Sequence, residues 1–261
     1  MQPRACLIGL DEPEVSDLQS RFDRPLLAYE TLPRILVRNG ELFVESASRF
    51  RLLPVSSVVF HGIFGDDFDL LAGLALWGGP CLPSARAMLA CRLKFPCLVR
   101  ALELTQFSAP RRGFVSAGLE TEFGAEHVAK WGNWHCGENK ARVQGTWRAA
   151  EAAILEPYLQ GTAMRVVVIG DRAWQIQLAG DDWLKSIHHP TAELMPLDER
   201  LVADTRHIAS SIGLEIAAND YIITADGEPH LLEVNHIPNV TRFPEIWQAY
   251  AEFVVNWLNR H

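Results

Sequence analysis

The stretch from Asp220 to Pro238, DYIITADGEPHLLEVNHIP, constrains this chain more than any other. Side chains alternate across a strand, so Asp220 shares a face with Ile222 and Thr224, and Glu233 shares one with Asn235. The two runs turn around Ala225-Asp226-Gly227-Glu228, where Asp and Gly tolerate the left-handed angles of a tight hairpin. Pairing the strands brings Asp220, Glu233 and Asn235 to one side of a ribbon. Such hard oxygen ligands suit Mg²⁺ or Mn²⁺, and Mg²⁺ takes only one or two protein carboxylates because it also holds water and phosphates. A plain solvated hairpin would carry the same residues, so the rest of the chain has to decide between the two.

With 261 residues, 48% of them hydrophobic and 21% charged, the composition is that of an ordinary globular chain with room for one sizeable core or a few small subdomains. No apolar run approaches the roughly 18 residues of a membrane span. The N-terminus MQPRACLIGLDEPE reads as a strand and an acidic loop, without a signal peptide's long apolar region, so a cytoplasmic location is expected. Five cysteines form no CxxC pair and read as reduced thiols. A net charge of −8 without a basic tail argues against a nucleic-acid surface. An anionic ligand would therefore need a local cluster of cations.

Residues 4–84 read as a small α/β unit with a mainly parallel sheet: strands at 5–10, 25–30 and 55–60, helices at 14–21 and 67–77, and a hairpin over 35–44 around Asn39-Gly40. Pro83 to Thr105 reads as one long helix broken by Pro96, with Arg86, Arg92 and Arg100 on a solvated basic face beside Lys94. Val128-Ala129-Lys130 is a strand carrying one lysine inward, ahead of a loop bounded by Gly132 and Gly137. A buried ammonium is costly without an anion above it, and Gly-bounded loops bring backbone N–H groups close to phosphates. No GxxxxGK[ST] motif is present. Residues 147–153 read as a helix, 154–159 as an extended linker, 162–178 as a hairpin around Gly170-Asp171, and 198–212 and 243–259 as amphipathic helices. In the last helix Trp247, Tyr250, Phe253 and Trp257 recur at core spacing. His188 and His189 are neighbours that point opposite ways and lack further ligands at metal spacing, so zinc is not expected.

An acid at the head of one strand, E-V-N-x-x-P closing the next, and a helix beyond them resemble the metal-binding end of the ATP-grasp superfamily. The segment is most similar to carboxylate-amine ligases of the ribosomal-protein glutamate ligase and glutathione synthetase type. The resemblance spans about residues 85–245. It implies an α/β (α+β) ATP-grasp fold in which the nucleotide is held between two sheet-containing subdomains, 85–158 and 159–261, behind a small N-terminal α/β domain, 1–84. It implies ATP and Mg²⁺ (or Mn²⁺), with Asp220, Glu233 and Asn235 as metal ligands and Lys94, Lys130, Gly132, Gly137, Glu156, Tyr158, Leu159 and Lys185 around the nucleotide. Pro157 lacks an N–H, which leaves Tyr158 or Leu159 to meet the adenine edge, with Glu156 on its amino group or the ribose. Arg165 and Lys185 are the implied catalytic cations, and Lys185, Ser186 and His188 match a basic stretch facing the transferred phosphate. Two departures stand out: Asn239 where many relatives have Gly, and Ala163 where a related ligase carries an acid for the ribose.

The implied reaction joins a carboxylate to an amine of an amino acid or peptide through an acyl phosphate, releasing ADP and phosphate. The expected partners are those small-molecule or peptide substrates, with no nucleic acid and no membrane, and a homo-oligomer is compatible with them. A small-molecule kinase and a non-catalytic ATP-binding module remain the alternatives.

Overall fold

Three sheets follow one another along the chain in a computed structural model that describes residues 3–46, 48, 51–132 and 139–261. The first contains β1 (Arg4–Ile8), β2 (Leu27–Tyr29), β3 (Ile35–Arg38), β4 (Glu41–Glu45), β5 (Leu52–Phe60) and β6 (Cys81–Leu82), in the order β2-β1-β5-β4-β3 with β6 also on β5. Helices α1 (Glu12–Ser20) and α2 (Asp67–Trp77) connect its strands. The expected parallel core is present in β2, β1, β5 and β6. The hairpin β3–β4 turns through Asn39 and Gly40, both at positive φ, and joins that core antiparallel along the first half of β5. Where β1 and β5 end, the backbones of Gly9 and His61 approach so closely that a Cβ on Gly9 would lie 2.7 Å from the His61 carbonyl. With φ +86° as well, only glycine suits that position.

The expected long helix is two: α3 (Ala85–Cys91) and α4 (Lys94–Leu104). The break falls at Leu93, which is extended, and not at Pro96. Pro96 sits in the first turn of α4, where a missing N–H removes no intrahelical bond, and its ring would clash with the carbonyl of Arg92 if the helix ran on.

The second sheet is antiparallel, in the order β7-β10-β8-β9, from β7 (Gly113–Val115), β8 (Glu120–Trp131), β9 (Lys140–Arg148) and β10 (Ala153–Pro157). The helix expected over 147–153 does not form. Trp147 and Arg148 instead pair with Thr121 and Glu120, and Ala149 and Ala153 are fully buried in the sheet's small core. Packing overrides the helical preference of an alanine-rich run. The expected linker at 154–159 is largely β10 itself, paired on both sides.

The third sheet, also antiparallel, runs β13-β12-β11-β14-β15 from β11 (Gly161–Ile169), β12 (Arg172–Gln177), β13 (Glu193–Met195), β14 (Ile216–Thr224) and β15 (Pro229–Asn235). Both expected hairpins form, with Gly170 and Gly227 at positive φ in their turns. Helix α5 (Glu199–Ile212) packs with Val166, Val168 and Tyr221 on one face. Helix α6 (Pro244–Leu258) packs with Val167, Ile169 and Ala218 on the other, which explains why β11 reads as continuously apolar. Tyr250 and Trp257 lie in that second core with Trp247 and Phe253 against it, so the aromatics of α6 are packing residues. Leu7, Val59 and Leu82 of the first sheet share the same core. Among the described residues no helix is long and apolar enough to cross a membrane.

Candidate active site

The register of the third sheet sets the chemistry. Asp220 of β14 lies directly opposite Arg165 of β11 on one side and Glu233 of β15 on the other. Three functional side chains on adjacent strands therefore share one face. The pairing then slips: Tyr221 meets Leu231, so Leu232 is the extra residue of a β-bulge. Such a bulge bends the strand locally, but beyond it the register is regular, so Asn235, opposite Ala218, stays on the Asp220 side. On the reverse face the Tyr221 hydroxyl donates to Asp204 at 2.8 Å and receives the Asn219 amide at 3.1 Å. Asp204 also accepts from Thr105 and the Gln106 N–H, which ties β14 to α4 and α5 from behind.

Arg165 grips Asp220 with two hydrogen bonds of 2.6 and 2.8 Å. Burial works against its charge, but Asp220 raises its pKa further. Each carboxylate oxygen has a second lone pair, so the grip orients Asp220 without exhausting it. The buried Asn235 Nδ2 has no hydrogen-bond partner among the described residues, an unsatisfied amide beside two acids. Among the described residues no group of three or more His, Cys, Asp or Glu side chains could hold a metal on its own. Two carboxylates and one amide, incomplete alone, fit a Mg²⁺ that draws its other ligands from water and phosphate.

Facing this sheet is a cluster of cations. Glu156 is buried in β10 and engages Lys130 of β8 through one oxygen and Arg112 through the other, the latter at 2.9 Å. Burial alone would raise its pKa, but the Lys130 and Arg112 charges hold it below the usual glutamate value. Its carboxylate is thus engaged by cations, which differs from the expected role on adenine or ribose. Arg112 and Lys130 also reach the carbonyls of Leu231 and Leu232 at the bulge, at 2.6 and 3.4 Å, linking the second and third sheets. Lys94, at the start of α4, is buried with Nζ 3.7 Å from Glu233 Oε1 and no hydrogen-bond partner among the described residues. The solvated basic face expected beside it is only partly present. Arg86 and Arg100 are exposed, whereas Arg92 is buried, bonding Asp67 and, at 2.6 Å, the Phe64 carbonyl. Its site at the α3–α4 break turns it inward.

Two cavities meet across these residues. One, between the second and third sheets, holds about 750 Å³ of empty space over Val128, Lys130, Glu156, Leu159, Ala163 and Leu178. The other, about 820 Å³, is bounded by Arg165, Asp220, Glu233, Asn235 and Asn239, by Ser186 and His188, and by Ile63 from the loop after β5. Lys140, Lys185, Asp220 and Glu233 border both. The Tyr158 N–H donates to Glu126 O at 3.0 Å, so of the two expected backbone donors Leu159 is the one left. The Tyr158 ring instead lies under Arg142 and edge-on to Trp183. Lys185 Nζ binds the carbonyls of Gly180 and Asp182, exposed at the mouth. Gly132 is at φ +70° where the Trp131 N–H bonds Asn139 O, at the base of the loop. Gly137 lies outside the described residues. His189 bonds Thr191 and Asp181 and is part of no metal cluster among the described residues.

Arg112 and Lys140 are the site residues that sequence reasoning misses. The only local sign of Arg112 is the Arg111-Arg112 pair ahead of a short strand, since its partners lie 44 and 119 residues away.

No protein-family profile matches the chain. It is 24% identical over 262 residues to the D-alanine–D-alanine ligase of Geobacter sulfurreducens, a match covering 88% of this chain and 79% of that relative. Among solved structures it superposes on the ATP-grasp ligase PsnB complexed with a phosphomimetic variant of a minimal precursor, Mg and ADP. That alignment has a TM-score of 0.69 and 16% identity, over 98% of this chain and 99% of the other. It also superposes on D-alanyl-alanine synthetase A from Vibrio cholerae, with a TM-score of 0.69 and 13% identity, over 100% of this chain and 98% of the other.

Proposed function

We propose that this chain, which has the ATP-grasp fold, is an ATP- and Mg²⁺-dependent ligase that joins a carboxylate to the amine of an amino acid or peptide. The observation that carries the reading is a charge imbalance at the junction of the two cavities. Among the described residues, Lys94, Arg112, Lys130, Lys140, Arg165 and Lys185 surround only Glu156, Asp220 and Glu233. Three of the buried polar atoms without partners among the described residues, on Lys94, Arg112 and Asn235, belong to donors in the same place. Buried donors without acceptors are costly, and a polyphosphate satisfies several at once.

In this reading ATP lies between the second and third sheets. Its adenine is sandwiched by apolar side chains such as Val128 and Leu178 and meets the Leu159 N–H at its edge, while Lys130 and Lys94 hold its phosphates. Asp220, Glu233 and Asn235 would hold Mg²⁺, which supplies charge neutralisation at the phosphates. Arg165 orients Asp220 and, with its remaining N–H donors, stabilises the acyl phosphate, with Lys185 entering from the mouth. The acceptor carboxylate attacks the γ-phosphate, ADP leaves, and the amine displaces phosphate. The protein's share is positioning and charge, and no side-chain nucleophile is needed. Residues 1–84 act as the acceptor-side unit through the Ile63 loop, with 85–158 and 159–261 as the two halves of the nucleotide clamp. Relatives supply two acceptor classes to try, D-alanine and precursor peptides.

The test is ADP and phosphate release with MgATP against amino acids and short peptides, with mass spectrometry of the products. Amide formation with both ADP and phosphate is expected. ADP with a phosphorylated product and no free phosphate would make the chain a kinase, and ATP binding without ADP would make it a binding module.

A further inference from the structure

Among the described residues, Lys140 is the cation in this cluster without an ion pair or hydrogen bond of its own. It opens β9 directly opposite Lys130, and like charges placed opposite each other across strands destabilise a sheet. Lys130 has Glu156, Arg112 shares it, Arg165 has Asp220, Lys94 faces Glu233, and Lys185 binds two carbonyls. For Lys140 no ion pair or hydrogen bond exists among the described residues, although its side chain is half-buried. Its position is equally specific, because Lys140 borders the cavity between the sheets and also the cavity over Asp220, Glu233 and Asn235.

We propose that Lys140 is a binding residue for the terminal phosphate of a nucleoside triphosphate, held where the nucleotide cavity opens onto the acceptor cavity. The proposal rests on the ATP reading above and deepens it by naming which phosphate this lysine meets. Burial lowers the Lys140 pKa, Glu233 and Asp220 oppose that, and Lys130 and Lys94 add to the lowering. An arriving anion would reverse that balance at Lys140. A cation retained against a like charge in the ligand-free protein acts for a bound state and not for the fold.

The decisive experiment is calorimetry on the full chain with Mg²⁺, using a β,γ-imido analogue of ATP and, separately, ADP. Wild type is expected to bind both. Lys140→Met should weaken the triphosphate by about tenfold or more, as expected for a charge-assisted contact, and leave ADP within about twofold. Lys140→Arg should retain most of the triphosphate affinity. Equal loss for both nucleotides, or no loss for either, would overturn the assignment while leaving the ATP reading in place. A wild-type chain that binds neither nucleotide would remove the ATP reading itself and this proposal with it.

Discussion

Replacing Glu156 by glutamine keeps the side chain's shape and deletes the charge that Lys130 and Arg112 share. The three side chains are 5%, 7% and 8% exposed, so solvent screens the triad little. Removing one member of a buried ion pair costs about 3–5 kcal/mol because the partner charges are left uncompensated. With a urea dependence of roughly 2–3 kcal/mol per molar, the unfolding midpoint should fall by roughly 1–2.5 M, read by circular dichroism at pH 7. Adding Lys130→Met to Glu156→Gln removes one stranded cation, so the double variant should be less destabilised than the sum of the two singles. The loss should also depend on pH. Glu156 has a folded pKa below its ordinary 4.5. Its contribution is therefore fully present above about that pH and fades as pH falls through the lower folded value, so wild type and variant should converge in acid. A loss under about 1 kcal/mol at pH 7, or strict additivity, would refute the view that Glu156 is the anion holding Lys130 and Arg112.

Two further outcomes follow from the metal face. Glu233→Gln should fold normally and bind nucleotide, yet show no ATP turnover; full turnover would remove Glu233 from the metal set. Arg165→Ala should lose on the order of a hundredfold in kcat, as when one oxyanion donor is removed, and should shift the Mg²⁺ dependence, because Asp220 loses the guanidinium that orients it. Steady-state kinetics across a Mg²⁺ titration would separate this from an equal loss in ATP binding, which would make Arg165 a uniform-binding residue.

Much of the fold is legible because local chemistry and final packing agree. Alternation with Asp-Gly and Asn-Gly turns gives the hairpins β14–β15 and β3–β4, and the register then places Asp220 opposite Glu233 as the alternation implies. Where the two disagree, the sequence misleads. Alanines at 149, 150, 152 and 153 favour a helix, but pairing of β9 with β8 and burial of Ala149 and Ala153 place them at a strand corner. The resemblance assigns Glu156 to the adenine amino group or the ribose, while its partners here come from residues 26 and 44 positions upstream. Lys140 is hidden for a related reason: only the pairing of β8 with β9 reveals that it opposes Lys130.

The central claim, activation of a carboxylate by phosphoryl transfer, is tested most directly by following oxygen. With MgATP, an amine and an acceptor whose carboxylate is labelled with ¹⁸O, attack on the γ-phosphate followed by displacement carries one labelled oxygen into the released phosphate. The account predicts labelled inorganic phosphate alongside unlabelled ADP. Label in AMP would mean attack at the α-phosphate, and unlabelled phosphate would mean that water, not the carboxylate, takes the phosphoryl group; either result contradicts the mechanism.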